Sequence, residues 1–401
     1  MKQKNQAKKK SVIFFIDSLG GGGAERVVSL ISNYLAKNPK YEVNIVMLRK
    51  KPIVYELAEN IKLYYAEELP VRTLYGKFIK KIYAFYKMFR CVVVKPIMKR
   101  AGVYNQIPQL DETSLYLYSK YAMPYREFLK KKENAVAFGF LVRSNICMLM
   151  AAKGTGAKIV FCERNAPVRP DMPKNLIRLR DKNYKFCDVA VFQTEEEREY
   201  YKKLKCDTAV IPNPIKADLP GRYEGERRKE IVNFCRMSAQ KNLKLLIDAF
   251  EMLLKDYPDY TLRIYGKGPE KDSLQKYIQE KKLNDTVFLE EFVSNIHDVI
   301  KDAEMFVSTS DYEGLSNSMI EALAIGMPCI CTDCEGGGAR MMIKDHENGI
   351  LVPVRDVHAV YKSMAELIKN SELKNRISKN AVSIREQLDI EKIVSQWEMI
   401  I

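Results

Sequence analysis

Three histidines, one tryptophan and no long apolar run set the first limits on this 401-residue chain. His297, His346 and His358 all lie in the second half, so no Ser/His/Asp or Cys/His arrangement can be assembled in the first. That excludes a triad hydrolase there, and the three histidines read as surface or structural residues. No Asp-x-Asp pair and no cluster with metal-ligand spacing occurs, so no metal or other cofactor is expected. Nine cysteines are scattered singly, except Cys329, Cys331 and Cys334, and they read as small buried hydrophobes. No apolar stretch reaches the ~20 residues of a transmembrane helix. Residues 11–16 (SVIFFI) are too short for a secretory core and run into Asp17. The expected location is cytoplasmic, peripheral on the inner face of the cell membrane.

What is present is a long, basic, apolar-rich chain. Lys and Arg number 66 against 51 Asp and Glu, a net charge of +15, which suits an anionic membrane, nucleic acid or phosphorylated ligands. Short apolar runs alternate with helical patterns almost throughout. Strands are expected at 11–16, 43–48, 135–140, 158–163, 188–193 and 208–213, then at 230–235, 261–266, 286–291, 303–310, 328–332 and 349–353. The alternation predicts an α/β protein of two Rossmann-like domains facing across a cleft. The first spans 1–213, a Pro/Gly-rich charged linker 214–228, and the second 229–388. The segment 389–401 is expected as a helix that holds the only tryptophan, Trp397, and packs back on the first domain.

Residues 69–110 break this rhythm. They carry nine cations, among them Lys77, Lys80, Lys81 and Lys87, and no acid. Aromatic and aliphatic residues are interleaved with them. A basic, aromatic, amphipathic helix reads as a membrane-facing insertion, with a solvated helix packed by its aromatic side as the alternative.

Four constellations sit at strand ends, where ligands bind in open α/β sheets. Gly20–Gly23 lead from the first strand into a helix, and the N–H groups of Gly21, Gly22 and Gly23 suit an anion. The third glycine of a dinucleotide fingerprint is missing, which disfavours a nicotinamide or flavin. Arg236 and Lys241 follow the strand at 230–235 and suit one diphosphate. Gly266 and Gly268 close the next strand. Glu313 and Glu321, with seven residues between them, suit sugar hydroxyls. The N–H groups of Gly314, Leu315 and Ser316 and the helix behind them point at the same anion site.

With these residues the sequence resembles the retaining glycosyltransferases of family 4, which have the two-Rossmann GT-B fold. The matching segments are GGGGAERV, IPNPI, RMSAQKN, IYGKGPE, DYEGLSNSMIEALAIGMPCI and NGILVP. The resemblance implies that Arg236 and Lys241 bind the donor diphosphate, Glu321 the ribose and Glu313 the transferred sugar. It also implies that Gly266 and Gly268 help hold the nucleotide. A first-domain histidine common in the family is absent. The segment FCERNAPVRP stands there, like the branch that builds bacterial polysaccharides and lipid-linked oligosaccharides, with Arg164 on the acceptor side in the histidine's place. The expected activity is transfer of a hexose or N-acetylhexosamine, UDP-linked, to a saccharide or lipid-linked acceptor. An epimerase or phosphorylase of the same architecture, and an inactive nucleotide-sugar or lipid-binding partner, are the competing readings. Nucleic acid is not an expected partner, since no nucleic-acid motif accompanies the charge.

Overall fold

The computed structural model describes residues 9–71, 78, 81–82, 84–85, 88–89 and 116–401. Two parallel sheets organise them. The first contains β1 (Lys10–Ile16), β2 (Tyr41–Met47), β3 (Lys62–Tyr65), β4 (Val136–Phe140), β5 (Lys158–Cys162), β6 (Val189–Phe192) and β7 (Asp207–Val210), in the order β3-β2-β1-β4-β5-β6-β7. The second contains β8 (Arg228–Phe234), β9 (Thr261–Tyr265), β10 (Val287–Glu290), β11 (Ala303–Ser308), β12 (Cys329–Thr332) and β13 (Ile350–Val352), in the order β10-β9-β8-β11-β12-β13. Each order reverses once, between β1 and β4 and between β8 and β11. At such a point the two flanking loops diverge and leave a crevice at the carboxyl edge.

The central strands are apolar along their whole length because helices cover both faces. In β1 every residue after Lys10 is buried, and in β11 all are. β3 has no strong sequence signal. Its KLYY is half-exposed at the sheet edge, and it is held by register with β2 from Asn44↔Lys62 to Met47↔Tyr65.

The C-terminal helix Ile390–Ile400 returns to the first sheet, as its sequence suggested. Ile393, Val394, Trp397 and Ile400 share its buried face. Trp397, 1% exposed, stacks on Phe140 with centroids 5.8 Å apart and meets Phe138 edge-on at 5.5 Å. Lys158 Nζ donates to the Ile400 carbonyl at 2.6 Å.

Most of the 69–110 insertion, including Lys77, Lys80 and Lys87, lies outside the described residues. Lys81 is described and exposed. No helix among the described residues is long and apolar enough to cross a membrane.

The packing of Trp397 yields a stability prediction. Trp397→Ala should cost about 3–5 kcal/mol, the usual cost of removing a buried aromatic. Urea unfolding followed by circular dichroism measures it, and a loss below about 1 kcal/mol would mean the helix seat is not cooperative with the first domain.

Candidate functional site

The crevice of the second sheet is built where β8 and β9 end. The chain after β8 runs through Arg236 into a short 3-10 turn, Ala239–Lys241. It is zipped to the loop after β9: Cys235 N–H donates to the Tyr265 carbonyl at 3.0 Å and Met237 N–H to the Lys267 carbonyl at 2.9 Å. Gly266 and Gly268 make this approach possible. A Cβ on either would run into the carbonyl of Cys235 or Met237. These two glycines therefore shape the loop that carries Arg236. Arg236 itself is exposed and has no side-chain partner among the described residues.

Lys241 has a different environment. Its Nζ lies 2.6 Å from Glu313 Oε1, on the loop that follows β11, across the switch point. Gln240 Nε2 donates to Glu313 Oε2 at 2.6 Å and to the Tyr312 carbonyl at 2.8 Å. Burial disfavours the Lys241 ammonium, but the Glu313 charge and hydrogen bond, with the nearby Cys235 and Cys334, together outweigh it and raise the pKa. Lys241 stays cationic at neutral pH. Sequence spacing suggested that Arg236 and Lys241 converge as a pair. The structure joins Lys241 to Glu313 instead and leaves Arg236 free at the mouth.

Glu321 stands on the helix Asn317–Ala324 and is only 2% exposed. His297 Nε2 donates to its Oε2 at 2.9 Å, and Arg26 Nη1, from the first domain, lies 2.5 Å from its Oε1. His297 is buried, packed edge-on against Phe234 at 5.8 Å. Reading all three histidines alike as surface or structural missed this contact; His346 and His358 are not buried. A buried histidine 24 residues from its acid has no local sequence signal. Arg26 does have one: it stands three residues after Gly23, in the first turn of the helix that the glycine run opens.

The glycine loop departs from the expected open anion cradle. In the helix Gly23–Ala36, Glu25 folds back over the loop. Its Oε2 accepts from Gly21 N–H at 2.7 Å and Gly22 N–H at 2.9 Å, and its Oε1 accepts from Ser18 Oγ at 2.8 Å. The helix thus satisfies its own N-terminal donors in the manner of a capping box. The N–H groups of Gly21 and Gly22 are already engaged by a carboxylate of the chain itself. Gly23 is occupied differently, its carbonyl accepting from Asn317 Nδ2 at 3.0 Å across the domains.

A buried polar seam joins the two domains beneath the 313–317 loop. Gln193 Oε1 accepts from Leu315 N–H at 3.2 Å, and Gln193 Nε2 donates to Asn213 Oδ1 at 2.7 Å. Asn213 Nδ2 donates to the Leu315 carbonyl and to Asn317 Oδ1. Leu315 and Ser316 are buried, and Ser316 Oγ lies 3.1 Å from Ser318 Oγ. Gly314 packs against Gln193 and Glu197, where a Cβ would not fit. Leu315 N–H, expected to face an anion, is engaged by Gln193.

Arg164 is also drawn into this seam. Its guanidinium is buried 5.0 Å from the rings of both Phe140 and Trp397, and Nη1 donates to the Ile211 carbonyl at 3.3 Å. The expected acceptor-side residue is thus a brace between the first domain and the returning helix. Glu163 beside it accepts from the hydroxyls of Tyr184 and Tyr201.

Glu197 lies fully buried at the seam, and burial pushes its carboxyl well above the ordinary range. It accepts from Gln193 N–H at 2.8 Å through one oxygen only. A carboxyl with a raised folded pKa stabilises the fold fully below its unfolded value, about 4.3. That contribution is lost as pH rises through the folded value. Glu197→Gln should therefore change melting temperature little at pH 5 and raise it at pH 8. The same difference at both pH values would show that the carboxyl titrates normally.

Among the described residues no group of His, Cys, Asp and Glu is placed to hold a metal ion. Cys329, Cys331 and Cys334 are buried free thiols, and burial pushes Cys334 up to about 12. Residues 220–383 match the family model of glycosyl transferases group 1. Over 396 residues the chain is 27% identical to an N-acetylgalactosamine-N,N'-diacetylbacillosaminyl-diphospho-undecaprenol 4-alpha-N-acetylgalactosaminyltransferase of Campylobacter jejuni, covering 94% of this chain and 96% of that one. An uncharacterized glycosyltransferase of Haemophilus influenzae is 24% identical and covers 98% of this chain and all of its own. In fold the chain is similar to TarM, with a TM-score of 0.73 at 17% identity over 98% of both chains. It is likewise similar to HepE of Anabaena in complex with UDP and glucose, with a TM-score of 0.72 at 14% identity over 98% and 99%. The two switch-point crevices are thus the GT-B arrangement, and the second domain carries the match to glycosyl transferases group 1.

Proposed function

We propose that this glycosyltransferase is a family 4 enzyme that moves a hexose or N-acetylhexosamine, with retention, from a UDP-sugar to a lipid-linked saccharide acceptor in polysaccharide or cell-surface glycan synthesis. The observation that carries this reading is the Lys241–Glu313 pair at 2.6 Å, set at the switch point of the second sheet beside the free cation Arg236. As the sugar–phosphate bond breaks, negative charge grows on the diphosphate. Arg236 and Lys241 offset that charge, as preorganised donors aimed at the place where it develops. Glu313 orients the sugar hydroxyls and Glu321 the ribose. The C1–O bond to the diphosphate breaks while the acceptor oxygen bonds C1 on the same face. The acceptor proton passes to the leaving phosphate oxygen. These cations do the work of a metal ion, so none is needed. The UDP and lipid-linked parts of the reading are supported by the ligands of HepE and by the substrate in the name of the Campylobacter relative.

The test is a panel of UDP-, GDP- and ADP-sugars, assayed for nucleotide release with a crude lipid-linked acceptor in EDTA. Release from a UDP-sugar is expected, with turnover falling roughly a hundredfold in Lys241→Ala. Transfer that requires added Mg²⁺ or Mn²⁺ would refute metal independence, and turnover unchanged in Lys241→Ala would refute the site.

We further propose that the enzyme is cytoplasmic and sits on an anionic membrane through the 69–110 insertion. At the helical positions described there, Phe78 is 60% and Phe85 63% exposed, and Ile82 and Phe89 are exposed on the same side. Phe85 and Phe89 stack on each other with centroids 6.3 Å apart. Apolar side chains left exposed in this way support the membrane reading. Each nearby Lys or Arg adds about 1 kcal/mol at an anionic leaflet. In vesicle flotation at low salt, wild-type protein should float. Charge reversal of Lys77, Lys80, Lys81 and Lys87, or Phe78→Ser with Phe85→Ser, should release it. Wild-type protein that stays at the bottom of the gradient would end the membrane reading.

A further inference from the structure

The first turn of the helix Gly23–Ala36 carries two adjacent charges with different partners. Glu25 closes the glycine loop and uses the N–H groups of Gly21 and Gly22. That leaves the first domain without those amides for an anion. Arg26 crosses the cleft to Glu321, and only Nη1 is used there. Its Nε and Nη2 are buried, and no acceptor among the described residues meets them. In a guanidinium these two nitrogens form one edge, the bidentate fork that matches a phosphate or carboxylate. A buried charged donor left unmatched is costly, and at Arg26 the unmatched fork belongs to a guanidinium that already touches Glu321, so an anionic oxygen arriving there would satisfy it.

The geometry around Arg26 is fixed from both sides. Tyr55 hydroxyl donates to the Gly22 carbonyl at 2.9 Å and Asn317 Nδ2 to the Gly23 carbonyl at 3.0 Å, so the loop is pinned to its own domain and to the other. Glu321 is held by His297 on its second oxygen. An ionised carboxylate has about four acceptor positions, so these two contacts leave acceptor capacity that the hydroxyls of a ribose diol can use. On the second domain's side Lys241 is paired with Glu313, and Arg236 is exposed with no side-chain partner among the described residues. On the first domain's side Arg26 brings an unused edge to Glu321.

Resting on the donor reading above, we propose that Arg26 is a donor-contacting residue supplied by the first domain. Glu321 holds Nη1, and Nε with Nη2 takes an anionic oxygen of the nucleotide diphosphate. Arg26 then ties the ribose-binding acid and the leaving group to one planar cation, and the donor site is complete only when both domains contribute.

The experiment measures binding of UDP by calorimetry and of uridine, which has no phosphate, by ligand-observed NMR. It uses wild type, Arg26→Ala, Arg26→Lys and Glu321→Ala, with melting temperatures recorded for each. Arg26→Ala should weaken UDP by about tenfold or more and leave uridine within about twofold. Arg26→Lys keeps the charge but loses the fork, and should fall between wild type and Arg26→Ala. It carries the test if the alanine variant does not fold. Glu321→Ala should weaken UDP and uridine together. Equal loss of UDP and uridine in the Arg26 variants would reduce Arg26 to a prop for Glu321 and overturn the proposal. Unchanged UDP affinity would overturn it outright. Wild-type protein that binds none of UDP, GDP and ADP would defeat the donor reading itself, a result distinct from either.

Discussion

A carboxylate buried between two domains is the constraint on which the crevice depends. Removing an ion from water costs several kcal/mol even after relaxation, and the cost is recovered only with partners in good geometry. Glu321 finds one partner in each domain, Arg26 and His297. Both contacts are made together only when the two domains meet as they do here. The short helix that carries it is fixed by the same seam, since Asn317 at its first turn meets both Asn213 and Gly23. The same seam holds the 313–317 loop, through Gln193 and Asn213 on Leu315.

Around that charge the crevice is built mainly from backbone. Gly336 and Gly338 press against the Glu313 and Gly314 carbonyls, where no side chain has room. Thr194 Oγ1 donates to the Gly336 carbonyl at 2.7 Å, and Gly336 N–H donates to Glu196 at 2.9 Å. The loops at the carboxyl edges thus hold each other across both domains. Such mutual support is how a site keeps ionised groups in fixed places without a rigid secondary element beneath each one.

Much of the fold was legible because its strands are buried on both faces. Runs such as SVIFFI and AEMFVS carry no polar alternation and lie between helical patterns, which is the signature of a parallel sheet. β3 was not legible, because an edge strand with half-exposed KLYY owes its form to pairing with β2. In the candidate site, strand-end placement singled out Lys241, Glu313 and Glu321, since loop position follows from chain order. Which charge meets which did not follow. Lys241 and Glu313 are 72 residues apart, and Arg26 and Glu321 lie in different domains. Glu25 was the exception that spacing could have revealed. It stands three residues after Gly22, the offset of a capping box, and so competes with any ligand for the loop amides. Arg164 was placed on the acceptor side by the family resemblance alone; the structure buries it against Phe140 and against Trp397 of the returning helix.

That returning helix has an optical consequence. The chain has a single indole, and it sits where the last helix meets the first domain. A guanidinium lies 5.0 Å from the ring, with Phe138 and Phe140 completing its surroundings. Indole emission is sensitive to nearby charge and to water. The protein therefore carries, without any label, one native fluorophore that reports on how the two halves are seated.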